Sequence, residues 1–193
     1  LFRSGTTFSI PIAGLYNIYN ALAAYSAAKF FGLSTEEIQA GFSKAQRVFG
    51  RQETFDVEDK EVMLNLIKNP VGFNQIVQLL SYEKEPFSLG VLLNDNPADG
   101  QDVSWIWDGD FEGLHALNAV DTAISGIRVE DLGVRMEVAG FENIKVFKTN
   151  AELIDWIRKA PTKKVNVLAT YTALLDLRKD FAKEGYLKEG MNG

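Results

Sequence analysis

The chain has 193 residues, 46% of them hydrophobic and 24% charged, which is an ordinary globular composition and a length for one domain or one and a part. Its net charge of -6 argues against non-specific binding to nucleic acid or anionic lipid. There is no cysteine and a single histidine, His115, so disulfides, a thiol nucleophile and a cysteine zinc site are excluded within this chain. A self-contained histidine triad or multi-histidine metal site is not expected either. No apolar run approaches the length of a transmembrane segment.

The first fifty residues predict a pair of helices. Residues 8–14 alternate in polarity and indicate a strand or an extended arm. Residues 15–32 are rich in alanine and apolar side chains, which favours a buried helix that ends at a glycine. Ser34 and Glu37 have the spacing of a capping box, and a second helix should run from there to about Lys44. Because such a helical hairpin needs a sheet to pack on and none precedes it, we expect the chain to be a fragment of a longer protein.

After a boundary at residues 46–55, the pattern changes to alternating strands and helices. The predicted elements are a β-hairpin over residues 56–67 with its turn near 58–60, a helix capped by Asn69, strands over 87–93 and 119–125, a helix over 128–140, a strand over 144–148, a helix capped by Asn150, a strand over 163–170 and a final helix. Repeated β–α units of this size predict a three-layer α/β fold with a mostly parallel sheet.

An acidic stretch, residues 93–112, follows the apolar strand over residues 87–93. It contains two of the three tryptophans, Trp105 and Trp107, and five aspartates: Asp95, Asp99, Asp102, Asp108 and Asp110. Exposed tryptophan is unfavourable unless a partner covers it. The stretch is therefore either a solvated acidic loop whose tryptophans fold back into the core, or a ligand or partner surface at the carboxyl end of a strand.

Asp102 allows two roles. It is placed to be the N-cap of a short turn over residues 104–107, which is the plain structural interpretation. Alternatively, it orients a histidine that a different chain supplies, as the third member of a catalytic triad. We interpret His115, the only histidine here, as structural.

Three other polar groups also leave alternatives open. Asn17 and Asn20 lie on one face of the first predicted helix, where they either brace the helix or bind a ligand such as a purine edge. Arg51 follows a glycine at the boundary and suits phosphate, or forms an ordinary surface ion pair with a nearby glutamate. Lys68, followed by Asn69–Pro70 at a helix start, either offers an anion its ammonium, the backbone N–H groups and the positive end of the helix dipole, or is a motif that occurs by chance, as motifs of this kind commonly do.

Several of these motifs resemble those of the Mur ligase family. GLYNIYNALAA (residues 14–24), GRQE (residues 50–53) and LNLIKNP (residues 64–70) are similar to its helix, boundary and strand motifs. Together with NDNPADGQDVSWIWDGDFE (residues 94–112), they resemble the MurT-type ligase subunits of lipid II isoglutaminyl synthase. The likeness spans nearly the whole chain.

This resemblance implies a domain organisation. Residues 1–50 would be the end of the central ATPase domain, contributing a helical hairpin. Residues 51–193 would form the C-terminal Mur ligase domain, with a Rossmann-like, mostly parallel three-layer sheet. The ATP-binding loop, the Mg²⁺ ligands and a Zn²⁺ ribbon would lie upstream of Leu1, so the fragment alone is expected to be inactive.

The resemblance also implies an activity. With a GatD-like glutamine amidotransferase as partner, the family uses ATP and glutamine-derived ammonia to convert the D-Glu of the lipid II stem peptide to D-isoglutamine, at the cytoplasmic face of the membrane. The alternatives are a non-catalytic docking module for such a partner and another Mur-type ligase, similar to folylpolyglutamate synthase.

By position, the resemblance assigns roles to the candidate residues. Asn17 and Asn20 would approach the adenine, and Arg51 the ribose or phosphates. Asn65 and Lys68 would lie near the nucleotide, where other Mur ligases carry an Asp and a His.

In the acidic stretch, the resemblance implies an acid for the partner's glutaminase triad. That acid would be Asp102, with Asp108 as the alternative. Trp105 and Trp107 would anchor the interface with the partner.

Overall fold

The computed structural model describes residues 7–11, 14–44 and 51–187, without the side chain of Arg51. The chain divides into two compact units, Leu1–Val48 and Phe49–Gly193. The two units are described separately below. None of the helices in the described ranges has the length and hydrophobicity of a membrane span.

In the first unit, two helices form the predicted pair. Helix α1 spans Leu15–Phe30 and helix α2 spans Thr35–Ser43. The capping box is confirmed: the Glu37 backbone N–H donates to the Ser34 hydroxyl (3.1 Å), and the Ser34 N–H donates to the Glu37 carboxylate (2.8 Å). Gly32 has a positive φ of 84°, as expected of a residue that ends a helix.

The expected burial of α1 is wrong within this unit. Tyr25 is its one buried residue, while Ile18, Tyr19 and Leu22 are exposed. Among the described residues of the unit, the packing of α1 comes from α2 and from an arm over residues 7–10, which has no regular structure and is therefore not a strand. Phe8 of this arm contacts the Tyr25 ring, with the centroids 4.8 Å apart.

The second unit is a six-stranded sheet between two helical layers. Its elements are β1 (Arg51–Val57), β2 (Lys60–Leu66), α3 (Pro70–Leu80), β3 (Phe87–Leu92), a 3₁₀ turn (Ser104–Trp107), α4 (Phe111–His115), β4 (Ala119–Ser125), α5 (Val129–Val138), β5 (Lys145–Val146), α6 (Asn150–Arg158), β6 (Lys164–Ala169) and α7 (Tyr171–Lys183). The strand order is β1-β2-β6-β3-β4-β5. Strand β1 is antiparallel to β2, and the other neighbours are parallel. The predicted three-layer, mostly parallel α/β fold is confirmed.

Two cores hold these layers together. One contains buried residues of α3, α4 and α5, and the other contains buried residues of α6 and α7. Helix α3 begins as predicted, because the Asn69 side chain accepts a hydrogen bond from the Gly72 N–H (2.8 Å) and Pro70 occupies the first turn. Its apolar side chains, spaced by three and four residues, are buried as predicted: Phe73, Ile76, Val77 and Leu80.

Some boundaries differ from the prediction. Strand β1 starts at Arg51, so half of the predicted boundary segment is a strand. The predicted strand over residues 144–148 is only Lys145–Val146, at the sheet edge. Helix α6 is capped by Thr149 and not by Asn150, since Thr149 and Glu152 make a complete capping box.

Candidate functional site

The acidic stretch leaves the sheet at the end of β3, where the carboxyl ends of the parallel strands β3, β4 and β6 meet. It has two parts with different environments. We call residues 94–99 the inner arm and residues 101–110 the outer arm.

The inner arm is bonded into the fold, and Asp99 is its most buried carboxylate at 5% exposure. The backbone N–H and the hydroxyl of Thr172 donate to this carboxylate at 2.7 and 2.6 Å. The N-cap residue of helix α7, Thr170, makes no side-chain capping hydrogen bond, so Asp99 accepts from the first turn of α7 although it lies far away in the chain. Asp99 is therefore a structural residue.

The rest of the inner arm joins neighbouring strand ends. The Asn94 N–H donates to the Thr170 hydroxyl (2.8 Å), and the Asn94 amide oxygen accepts from the Ile127 N–H (2.9 Å). Asp95 accepts from Arg128 at 2.8 Å. These bonds connect the ends of β3, β4 and β6.

The outer arm presents two exposed carboxylates, Asp102 and Asp108. The Ser104 N–H donates to one oxygen of Asp102 at 2.8 Å. The Ser104 hydroxyl and then its backbone N–H hold the pKa of Asp102 below the usual value, so this carboxyl is ionised at neutral pH. The 3₁₀ turn has Val103 as its N-cap, so the predicted capping position of Asp102 is wrong by one residue, although its carboxylate does hold the turn.

Asp108 follows the 3₁₀ turn directly, and its carboxylate makes no hydrogen bond to the other described residues. Asp110, in contrast, caps α4 through the Gly113 N–H at 2.8 Å. Asp102 and Asp110 each have one carboxylate oxygen held by a backbone N–H, and Asp110 also caps a helix. We therefore keep Asp102 and Asp108 as the candidates for an acid that a partner can use.

The two tryptophans have separate roles. Trp105 is half-buried and packs on the core beside Phe73, with ring centroids 6.2 Å apart. Trp107 is 53% exposed. Of the two alternatives that the sequence left open, Trp105 folds back onto the core, whereas Trp107 lies on the exposed surface.

Arg135 organises the outer arm, and the sequence interpretation missed it. It is 3% exposed and donates to the backbone carbonyls of Ile106 (2.9 Å) and Gly109 (3.0 Å). It also forms two 2.8 Å hydrogen bonds to the Glu112 carboxylate. A signal was present, because Arg135 stands between Leu132 and Met136 in the buried stripe of α5, where an arginine needs several buried partners.

The predicted nucleotide residues fall in both units. In the first, Asn17 is half-buried and Asn20 is exposed near the start of α1. In the second, the side chain of Arg51 lies outside the described residues. Glu53, two residues on, pairs with Arg178 at 2.6 Å.

Asn65 and Lys68 lie at and just beyond the carboxyl end of β2. Asn65 is fully buried; its amide oxygen accepts from the Gln52 N–H (3.3 Å), and its Nδ2 has no partner among the described residues. Gln52 has a positive φ of 54° at an irregularity in β1. Lys68 is exposed and donates to the Ala98 carbonyl at 3.3 Å, which brings it to the inner arm.

A cavity of about 210 Å³ opens at the same edge of the sheet, on the side of α6 and α7. No predicted site residue lines it. Its polar lining consists of Asn94, Ser125, Lys148, Asn150 and Asp176. Nowhere in the described ranges do three or more His, Asp or Glu side chains form a cluster that could hold a metal ion.

Comparison with known proteins identifies the family. Residues 66–174 match the family model described as MurT ligase C-terminal. Over 190 residues, 97% of this chain, the sequence is 43% identical to the MurT subunit of lipid II isoglutaminyl synthase (glutamine-hydrolyzing) from Streptococcus pneumoniae, covering 42% of that protein. It is 36% identical to the same subunit from Staphylococcus aureus over 77% of this chain and 35% of the relative. The chain thus spans less than half the length of these relatives.

Solved structures agree on the fold. Folylpolyglutamate synthase from Mycobacterium tuberculosis superposes with a TM-score of 0.64 at 22% identity, over 92% of this chain and 42% of that chain. MurC from Thermotoga maritima gives 0.67 at 13% identity, over 92% of this chain and 39% of that chain. At these identities, the likeness concerns the fold alone. The family-model match covers more than half of the sequence, and the chain belongs to the MurT ligase C-terminal family.

Proposed function

We propose that this chain is part of a ligase subunit that amidates the D-Glu α-carboxylate of the lipid II stem peptide, using ATP and ammonia from a GatD-like glutamine amidotransferase. Family membership supports this, as do relatives named as subunits of a glutamine-hydrolysing synthase. In this proposal the lipid-linked substrate implies work at a membrane surface, and the use of ATP implies its cytoplasmic face.

The chemistry divides between the two subunits. The partner hydrolyses glutamine to glutamate and ammonia. On the ligase side, the γ-phosphoryl group of ATP is transferred to the D-Glu carboxylate, which gives an acyl phosphate and ADP. Ammonia then attacks the acyl carbon and phosphate leaves, so that the amide forms.

The observation that carries the proposal is that the outer arm exposes two carboxylates, Asp102 and Asp108, with no histidine in the same arm. The chain has no cysteine and only His115. This chain therefore holds no cysteine nucleophile of its own. In the proposal the partner supplies the nucleophile and its base, and this chain lends the acid that orients the partner's histidine. Asp102 is our first candidate, because Ser104 fixes one carboxylate oxygen and leaves the other available. Asp108 is the alternative.

Trp105 and Trp107 belong to the proposed interface in different ways. Exposed Trp107 contacts the partner directly, and half-buried Trp105 supports the arm from below. Aromatic anchors of this kind dominate many interfaces.

The nucleotide roles are part of the same proposal. Asn17 and Asn20 face the adenine, and Arg51 contacts the ribose or phosphates. Lys68, whose charge has no acidic partner within residues 7–11, 14–44 and 51–187 and whose hydrogen bond goes to a carbonyl at 3.3 Å, contributes to phosphate binding. Asn65 contacts the nucleotide only after the start of β1 moves, since it is fully buried beneath Gln52.

The test replaces each acid by its amide in this chain, combined with a GatD-like subunit. We expect Asp102→Asn to abolish the stimulation of glutamine hydrolysis while the complex still forms. A loss on the order of 10⁴-fold is the scale for an orienting triad acid. Glutamate release measures the activity, and gel filtration measures the complex.

Asp108→Asn is the matched variant, since both residues are exposed aspartates of the outer arm. Loss of activity in Asp108→Asn alone transfers the role to Asp108. If both single variants keep full stimulation, the acid is not lent from this arm. A wild-type chain that binds the partner without raising glutamine hydrolysis would make it a docking module.

A further inference from the structure

Arg135 hydrogen-bonds the backbone on both sides of one dipeptide of the outer arm, Trp107–Asp108, and we say that it brackets this dipeptide. Its Nε donates to the Ile106 carbonyl (2.9 Å) and its Nη2 to the Gly109 carbonyl (3.0 Å). These carbonyls stand on either side of Trp107 and Asp108. A single planar guanidinium therefore fixes the backbone before and after the exposed ring and the free acid.

Glu112 and two rings hold the guanidinium itself. Both carboxylate oxygens of Glu112 accept from it at 2.8 Å, which is the strong bidentate geometry. The guanidinium carbon lies 4.8 Å from the centroid of the Phe111 ring and 5.4 Å from that of Trp107. Both distances are within the range of cation–π attraction. The orientation of Trp107 thus depends on the same side chain that fixes its backbone.

Stability alone is a poor reason for an arginine at this position. Its neighbours in the buried stripe of α5 are Leu132 and Met136. Its ion-pair partner Glu112 has a side chain that is 60% exposed, and ion pairs reached by solvent contribute little to stability. What an apolar residue cannot supply is the set of directed hydrogen bonds to the two carbonyls. The arginine therefore contributes geometry at the exposed end of the arm.

We infer that Arg135 is a positioning residue, which holds Trp107 and Asp108 in the orientation in which the partner's glutaminase site receives them. This inference rests on the proposed function and deepens it. It also separates the two candidate acids, because Asp108 lies inside the segment that Arg135 brackets, whereas Asp102 is held by Ser104.

The test compares Arg135→Met and Arg135→Lys in the complex with a GatD-like subunit. Met removes all of the directed bonds, and Lys keeps the charge but cannot span both carbonyls and Glu112. We expect kcat/KM for glutamine to fall on the order of tenfold to a hundredfold in Arg135→Met, the scale of a misplaced catalytic group, with Arg135→Lys in between. Where Asp108 is the acid beside the partner's histidine, the acid limb of the pH–rate profile should also move to lower pH, because a histidine that loses its carboxylate neighbour has a lower pKa. Where Asp102 is that acid, the rate falls through the displaced Trp107 and the limb keeps its position. A simple loss of folded protein lowers the profile without moving it.

Arg128→Met is the matched control. Arg128 precedes the first residue of the same helix and pairs with Asp95 of the inner arm at 2.8 Å, so this variant also removes an arginine contact to the acidic stretch. We expect it to keep the wild-type profile. In Glu112→Gln, Arg135 keeps its two carbonyl bonds, and stimulation should fall less than in Arg135→Met.

The outcomes are distinct. If the wild-type chain stimulates the partner and a folded Arg135→Met or Arg135→Lys complex has the wild-type rate and pH profile, the inference is overturned and the proposed function stands. If the wild-type chain does not stimulate the partner, the proposed function falls and the inference falls with it. An equal shift in Arg128→Met would also overturn the inference, since the effect would then not depend on the bracketed dipeptide.

Discussion

Both arms of the acidic stretch carry aspartates, but the arms differ in what most of those aspartates bind. In the inner arm, Asp95 and Asp99 direct their carboxylates to groups of the same chain. In the outer arm, Asp102 keeps one oxygen available, and Asp108 has no hydrogen-bonded partner among the described residues. An aspartate count therefore says little about function. The destination of each carboxylate separates structural acids from acids that a partner can use.

The difference follows from where each arm lies. The inner arm runs across the ends of three parallel strands, where free N–H groups and the start of α7 need acceptors. The outer arm lies beyond the edge of the sheet. Trp105 packs it on the core, and Arg135 hydrogen-bonds its backbone. Because its backbone is already supported in this way, Asp108 makes no hydrogen bond to the other described residues and Asp102 makes only a local one to Ser104. Asp110, at the end of this arm, is the exception, since it caps α4.

Breaking the inner arm should have the largest effect on stability. Asp99→Ala leaves the Thr172 N–H and hydroxyl and the Asn96 N–H without their acceptor and removes the cap of α7. We expect a loss of about 3 kcal/mol in the free energy of unfolding, from a lost helix cap plus charge-assisted hydrogen bonds. Urea unfolding followed by circular dichroism measures it.

Asp99→Asn is the control, because it keeps one acceptor oxygen and should lose about half as much. The same measurement on Asp102→Asn should show a change below about 0.5 kcal/mol, as for most exposed substitutions. Equal losses at Asp99 and Asp102 would contradict the division into two arms.

Local signals were enough to predict most of this fold. The Ser34 and Glu37 capping box, the Asn69–Pro70 helix start and the apolar run of β3 each depend on a few adjacent residues, and each is confirmed. Family membership was predictable from motifs for the same reason.

What escaped prediction depends on residues far apart in the chain. Asp99 caps a helix that begins more than seventy residues later, and no spacing rule connects it with Thr172. Arg135 reaches Gly109 across 26 residues. The burial of α1 was overestimated because its composition does not reveal which neighbours are present to cover it. The division of roles among the five aspartates follows from such distant contacts.

The two tryptophans offer a second test of the comparison between structural and presented residues. Trp105→Ala should lower the free energy of unfolding by about 2 kcal/mol, because it removes a half-buried ring from the core beside Phe73. Trp107→Ala should change it by less than about 1 kcal/mol, since it loses mainly a cation–π contact with Arg135.

The affinity for the partner should respond to these two substitutions in the reverse order, with the larger effect from Trp107→Ala. For a folded chain, Trp107→Ala should weaken binding to a GatD-like subunit by about 30-fold, which corresponds to a hot spot of about 2 kcal/mol. Isothermal titration calorimetry measures the affinity. Unchanged affinity in Trp107→Ala would remove this ring from the interface.

The smallest expected effect concerns acid pH and the Glu112–Arg135 pair. Hydrogen bonds from Arg135 lower the pKa of Glu112 from 4.5 to about 2. A carboxyl whose pKa is lower in the folded state stabilises the fold above its unfolded pKa, and this contribution disappears as the pH falls through the folded pKa. The difference in unfolding free energy between the wild type and Glu112→Gln should therefore be constant above about pH 5 and shrink towards pH 2. Urea unfolding of both proteins across this range measures it. A difference that stays constant down to pH 2 would mean that the Glu112 carboxylate is not held by Arg135 in solution. Arg135 would then lack the ion pair that fixes its guanidinium beside Trp107 and Asp108.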